Sequence, residues 1–92
     1  MNSNGIMLFL SVADVEWLEA VDHCVLLHIG KESHVLRDTL GALLAKFPPG
    51  RFLRIGPRTL VNVKQVKVLQ PLRHRRCRVL LRSGTRLTFL RT

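Results

Sequence analysis

The sequence predicts a mainly β fold carrying one short α-helix, and three observations point there. Hydrophobic residues recur at short, strand-like spacing along most of the 92 residues. One segment differs: Leu36, Leu40, Leu43, Leu44 and Phe47 are spaced i, i+4, i+7, i+8, i+11, which places all five on one helical face. Two turn signals, Gly30-Lys31-Glu32-Ser33 and Ser83-Gly84, each separate a pair of strand-like runs.

Residues 6–12 and Glu16–Ala20 read as strands. Cys24, Leu26 and His28 then alternate with Val25, Leu27 and Ile29, and the Gly30–Ser33 turn leads to His34–Arg37, which makes a hairpin. The helix is expected at about residues 38–47, capped by Asp38 or Thr39 and ended by Pro48-Pro49-Gly50. Gly41 inside it costs about 1 kcal/mol relative to Ala. Arg51–Ile55 reads as a short strand broken by a turn at Gly56-Pro57, because proline lacks a backbone donor and biases the residue before it away from helix. Gln65–Leu69, Cys77–Arg82 and Arg86–Leu90 are the remaining strand candidates. In the last hairpin, Arg76, Arg78, Leu80 and Arg82 share one face while Cys77, Val79 and Leu81 share the other. No repeat, linker or low-complexity run interrupts the chain, so residues 1–92 are expected to form a single domain.

Charge is divided unevenly along that domain. Up to Asp38 there are two cations, Lys31 and Arg37, against six carboxylates. After Asp38 there are 13 Lys and Arg and no Asp or Glu, and the whole carries a formal +9. A domain electropositive at one end attracts polyanions and gains from counterion release on contact, so nucleic acid is the first partner to consider. Stacking on unpaired bases needs exposed aromatics, but the chain has no Tyr, one Trp and four Phe. Trp17 and Phe47 are expected in the core, which leaves Phe89 as a lone platform and favours duplex DNA over single strands or RNA.

Other classes find less support. The apolar stretch Ile6–Val15 is interrupted by Ser11 and Asp14, is too short to span a bilayer and has no basic residue before it, so no membrane association is expected. Cys24 and Cys77 fit reduced thiols in the cytoplasm better than a disulfide framework. Glu16 and Glu19, the one close carboxylate pair, should lie on opposite faces of a strand, and no nucleophile stands beside a plausible base, so no enzyme is expected. Cys24-x3-His28 and His74-x2-Cys77 have tolerable metal-ligand spacing, but His23 and His34 add no C-x2-C anchor, and neither metal nor other cofactor is expected.

Phe52-Leu-Arg-Ile-Gly-Pro-Arg-Thr-Leu-Val-Asn62 resembles the F-x-R-I-H-R-S-x-x-V-N pattern of the LytTR family, DNA-binding output domains of many bacterial response regulators. Phe52, Arg54, Ile55, Val61 and Asn62 sit in register. Val15–Ala20 is similar to the family's I-x-Y-I-E-A strand, Val35–Leu40 to its V-R-x-T-L helix start, and Leu80–Leu87 to its V-x-L-x-D-G-x-x-L hairpin. The resemblance implies a mainly antiparallel β fold that inserts loops, rather than a helix, into DNA major grooves. Gly56-Pro57-Arg58 replaces the family's His-Arg-Ser, and Leu90-Arg91 replaces its closing Ser-Arg.

These residues predict sequence-specific binding of double-stranded DNA by a bacterial transcription regulator or its isolated output domain. Arg58 and Arg91 are the expected base readers, because a guanidinium can grip guanine O6 and N7 with two donors. Arg73, Arg75, Arg76, Arg78 and Lys64 are expected at phosphates, with Gln65 reaching into the same groove. Asn62 either orders its own loop or meets DNA, and His23 lies in the family's first DNA-facing loop. The resemblance further implies paired copies on repeated sites, with a sensor or receiver domain absent from this chain. A protein-interaction module derived from this family, or non-specific nucleic-acid binding, is the alternative. If Arg91 reads a base, Arg91→Ala should cost about 1–3 kcal/mol at the preferred site and little on random duplex, measured by fluorescence anisotropy. An equal loss on every duplex would assign Arg91 to the DNA backbone.

Overall fold

The computed structural model describes residues 2–3, 6–7 and 11–90. Among the described residues there are ten short strands and one α-helix: β1 (Asn2–Ser3), β2 (Ile6–Met7), β3 (Trp17–Val21), β4 (Cys24–Ile29), β5 (Glu32–Leu36), α1 (Leu40–Lys46), β6 (Phe52–Gly56), β7 (Thr59–Asn62), β8 (Val66–Pro71), β9 (Arg76–Leu81) and β10 (Arg86–Leu90). Every described strand pairing is antiparallel. A five-stranded sheet has the order β5-β4-β3-β7-β6, a three-stranded sheet the order β10-β9-β8, and β1 pairs with β2 alone.

The five-stranded sheet is covered on both faces. On one, Leu18, Val25, Leu27, Leu36, Phe52 and Leu60 pack with Leu40 and Leu43 of α1. The Phe47 and Phe52 rings stack at 4.4 Å. On the other, Trp17, Ile55 and Val61 meet Val79 and Leu81 of β9, with Val66, Leu87 and Phe89 alongside. β7 supplies Leu60 to the first core and Val61 to the second, so it is buried on both sides. A strand covered on both faces loses its polar alternation, which is why the sequence did not single out Thr59–Asn62 as a strand.

Several expected boundaries move. Val12 opens a 3-10 turn, Val12–Asp14, instead of closing a strand over 6–12; residues 8–10 of that expectation lie outside the described residues. The helix is shorter than 38–47. Thr39 caps it, with Oγ1 accepting from the Ala42 N–H at 3.1 Å, while Asp38 accepts from the Thr39 N–H and pairs with Lys46. Leu36 ends β5 and Phe47 follows the helix, yet both still join the same core as Leu40, Leu43 and Leu44. Gly56 belongs to β6, and the turn is Pro57-Arg58, tightened by a register shift between Arg54 and Gly56. Gln65 lies in a 3-10 turn, Val63–Gln65, and Arg82 lies in the β9–β10 turn. The alternation in β9 is as expected: Cys77, Val79 and Leu81 are buried while Arg76 and Arg78 are exposed. Both cysteines are free.

Two buried polar residues tie the layers together. Asn62 is fully buried; its Nδ2 donates to the Val15 carbonyl at 2.8 Å and its Oδ1 accepts from the Lys64 N–H at 3.0 Å. This holds the entry to β3 against the exit of β7 and starts the turn that sends the chain into the second sheet. Glu16, also buried, accepts from the Gly30 N–H and from Ser83 Oγ, so one carboxylate ties the β4–β5 turn to the β9–β10 turn. Removing one member of a buried hydrogen-bonded set leaves the others unpaired, so Asn62→Ala should cost about 1–3 kcal/mol in urea unfolding. The neighbouring exposed Lys64→Ala should stay within about 0.5 kcal/mol of wild type.

Candidate nucleic-acid interface

Antiparallel pairing decides which loops share an end. β3 and β7 pair Glu19 with Thr59, and the Ala20 N–H donates to the Arg58 carbonyl at 2.8 Å. The β3–β4 turn, Asp22-His23, therefore lies beside the β6–β7 turn, Pro57-Arg58, with all four residues exposed. Proline suits the first corner of such a turn, since its ring fixes φ, and neither Pro57 nor Arg58 has a positive φ. Arg54 braces the turn from below, donating Nη1 to the Pro57 carbonyl at 2.9 Å.

The second sheet joins the same end. A cleft of about 530 Å3 runs between β6 and the three-stranded sheet, lined by Leu53, Ile55, Pro57, Leu69, Cys77 and Phe89 among others. Pro71 and Cys77 pair at the end of the β8–β9 ladder and also border this cleft, so the Arg73–Arg76 loop beyond them extends from the same side of the molecule as Pro57-Arg58. Leu90, the last described residue, pairs with Arg76, which brings the end of β10 to this region; Arg91 itself lies outside the described residues.

A second, more polar cavity of about 600 Å3 opens between the β3–β4 turn, the start of α1 and β6. His23, Cys24, Arg37, Asp38 and Arg54 are among its lining residues. Arg37 and Arg54 were not among the expected contacts. Both could have been found, since Arg54 matches the arginine of the F-x-R-I pattern and Arg37 that of the V-R-x-T-L helix start; the pairing of β5 with β4 brings Arg37 to the cavity.

Other expected members are placed elsewhere. Lys64 and Gln65 follow β7 at its opposite end from Arg58, and the four residues of β7 separate them by about 13 Å. Their local bonds serve the fold: Arg82 Nε donates to the Lys64 carbonyl, the Arg82 N–H donates to the Gln65 carbonyl, and Gln65 Nε2 donates to Ala13. Asn62 is fully buried with both side-chain polar atoms engaged, which gives it the loop-ordering role and removes it from any contact surface. Arg78 faces outward from the three-stranded sheet, beside Gln70 and Thr88.

One polar set was missed altogether. His28 stacks on Trp17 at 3.9 Å, accepts or donates at Nε2 with Glu19 Oε1 (3.1 Å), and meets Ser33 Oγ at Nδ1 (3.1 Å). No local pattern signals a hydroxyl beside a base here, because Ser33 and Glu19 meet His28 only across strand pairs. Ser33 is exposed, and neither cavity is lined by these residues. Among the described residues no three His, Cys, Asp or Glu converge as a metal site, and no helix is long and apolar enough to cross a membrane.

Cations outnumber carboxylates in the region, although Asp22 and Asp38 line the polar cavity beside Arg37 and Arg54. Among the described residues the salt bridges are His28–Glu19, His34–Glu32 and Lys46–Asp38, and none includes an arginine. Glu16 is spent on Gly30 and Ser83. The carboxylates are thus largely occupied on the side of β3, β4 and α1, while the arginines of the β6–β7 turn, the β8–β9 loop and β9 stand without anionic partners.

The fold has a solved counterpart, and the sequence has relatives among known proteins. The solved LytTr DNA-binding domain from Bacillus cereus superposes with a TM-score of 0.75 at 22% identity, covering 83% of this chain and 70% of that one. The sensory transduction protein LytT of Bacillus anthracis is 23% identical over 86 residues, which are 94% of this chain and 35% of that protein, so the chain spans about a third of that relative. The model of the LytTr DNA-binding domain matches residues 5–92, nearly the full length, and the chain belongs to that family.

Proposed function

We propose that the chain binds duplex DNA sequence-specifically, as the output domain of a bacterial transcription regulator acting in the cytoplasm. The observation that carries this reading is the gathering of unpaired arginines at one end of the molecule, on turns held rigid by the sheet. Arg58 presents a guanidinium from the braced Pro57-Arg58 turn and, with Arg91, reads base edges. Arg73, Arg75, Arg76 and Arg78 neutralise phosphates, with Arg37, Arg54 and His23 available around the adjoining cavity. Lys64 contributes at most a distant phosphate contact, because it stands at the far end of β7.

Aromatic placement favours duplex over single strands. Phe52 is buried, and Trp17, Phe47 and Phe89 are half-buried against the two cores, so among the described residues no Phe or Trp ring stands exposed for stacking. Residues 1–92 act as one domain, two copies occupy repeated half-sites, and in a longer protein a sensor or receiver domain governs the occupancy.

A salt titration on random duplex, random single strand and RNA of equal length tests the reading. Engagement of about five to seven phosphates gives a slope of log K against log salt of roughly −4.5 to −6.3 on duplex, with weaker binding to the other two. Absence of duplex binding even at low salt would replace DNA with a protein partner. At the preferred site Arg58→Ala should cost about 1–3 kcal/mol, with little effect on random duplex. Arg58→Lys should recover only part of that loss, since an ammonium lacks the planar fork.

A further inference from the structure

The loop joining β8 to β9 holds an unfavourable backbone conformation with a residue poorly suited to it. The Arg76 N–H donates to the Arg73 carbonyl at 3.3 Å, closing a four-residue turn whose central residues, His74 and Arg75, have φ of 61° and 60°. Turns with positive φ at both central positions match the twist of antiparallel strands, but they favour Asn, Asp or Gly, and Gly above all. The other described residues with positive φ are Asp22, Gly30, Gly50 and Gly84, residue types that tolerate the left-handed region. Arg75 is the exception: there its Cβ lies close to the following carbonyl oxygen, with no short polar group to compensate, which lowers stability.

What the turn gains is charge. Arg73, His74, Arg75 and Arg76 are four consecutive exposed residues, and no carboxylate follows Asp38 in the chain. The turn also protrudes. Pro71 and Cys77 border the cleft beside Gly56 and Pro57, and His74 lies three residues past Pro71, so the tip reaches up to about 10 Å beyond that level. Arg76 is partly held, with Nε directed at the Arg73 carbonyl at 3.4 Å, whereas Arg75 makes no described side-chain hydrogen bond and keeps its donors for a partner.

We infer that the His74-Arg75 turn is a clamp on the sugar–phosphate backbone bordering the groove that the Arg58 turn enters, and that Arg75 is kept there at the expense of stability. This rests on the DNA-binding reading and deepens it. The partner is the phosphate of duplex DNA, because a rigid, protruding cationic tip contacts a regular anionic backbone without needing to read sequence.

Arg75→Gly in the full chain separates the two halves of the inference. Relief of the left-handed strain should raise Tm by about 4–8 °C. Affinity should fall alike on every duplex sequence, and the salt slope should shrink by about 0.9, the release of one counterion. Arg75→Lys keeps both the charge and the strain, so its Tm should match wild type and its duplex affinity should fall less than that of Arg75→Gly. An Arg75→Gly protein that is no more stable overturns the strain, and one that is more stable but binds duplex undiminished overturns the clamp. A loss confined to one DNA sequence makes Arg75 a base reader and overturns the backbone assignment. If the wild-type chain binds no duplex at all, the DNA reading fails with the clamp, whereas failure of the clamp alone leaves wild-type binding intact.

Discussion

The fold depends on β7, a strand of four residues that must be dry on both faces. Leu60 and Val61 are consecutive, yet one belongs to the core under α1 and the other to the core under β9. So short a strand offers few ladder bonds, and its position is fixed as much by Asn62 at its end as by its pairing with β3 and β6. A buried amide that meets one partner before β3 and another on the way to β8 sets where the chain may cross from sheet to sheet. The alternative, a free amide in a dry seam, is costly.

That geometry also sorts the charge. Glu16, Glu19, Glu32 and Asp38 are taken up by histidines, a lysine, a backbone N–H and a serine hydroxyl. Arginines take no part in those pairs, and their described side-chain bonds run to backbone carbonyls, which orient a guanidinium without neutralising it. The electropositive character of the second half of the chain thus survives folding and is delivered to loops.

Much of this was legible in the amino-acid order, and the failures share one cause. The apolar face of α1, the alternation of β9 and the turns after Ile29 and Leu81 are local patterns, and each was readable within about ten residues of chain. β7 was not, because a strand covered on both faces shows no alternation. Lys64 and Gln65 were grouped with Arg58 because they are near in sequence, but an intervening strand carries near neighbours to opposite ends of a sheet. Conversely, Asp22-His23 and Pro57-Arg58 are far apart in sequence and adjacent in space. The Glu19–His28–Ser33 set was invisible for the same reason, since each contact crosses a strand pair. The burial of Asn62 was one of two roles its chemistry allowed, and only its environment chose between them.

The stacking of Trp17 on His28 has a practical consequence in spectroscopy. Trp17 is the single tryptophan, and it sits on the seam where the five-stranded sheet meets the three-stranded one. The indole emission of this chain therefore comes from one site, the junction of the two sheets, with no second fluorophore of its kind to average over. An imidazole is stacked on its face, so separation of the sheets and displacement of His28 would change the surroundings of that one indole and register in its emission. The molecule carries its own optical gauge of whether its two halves are docked.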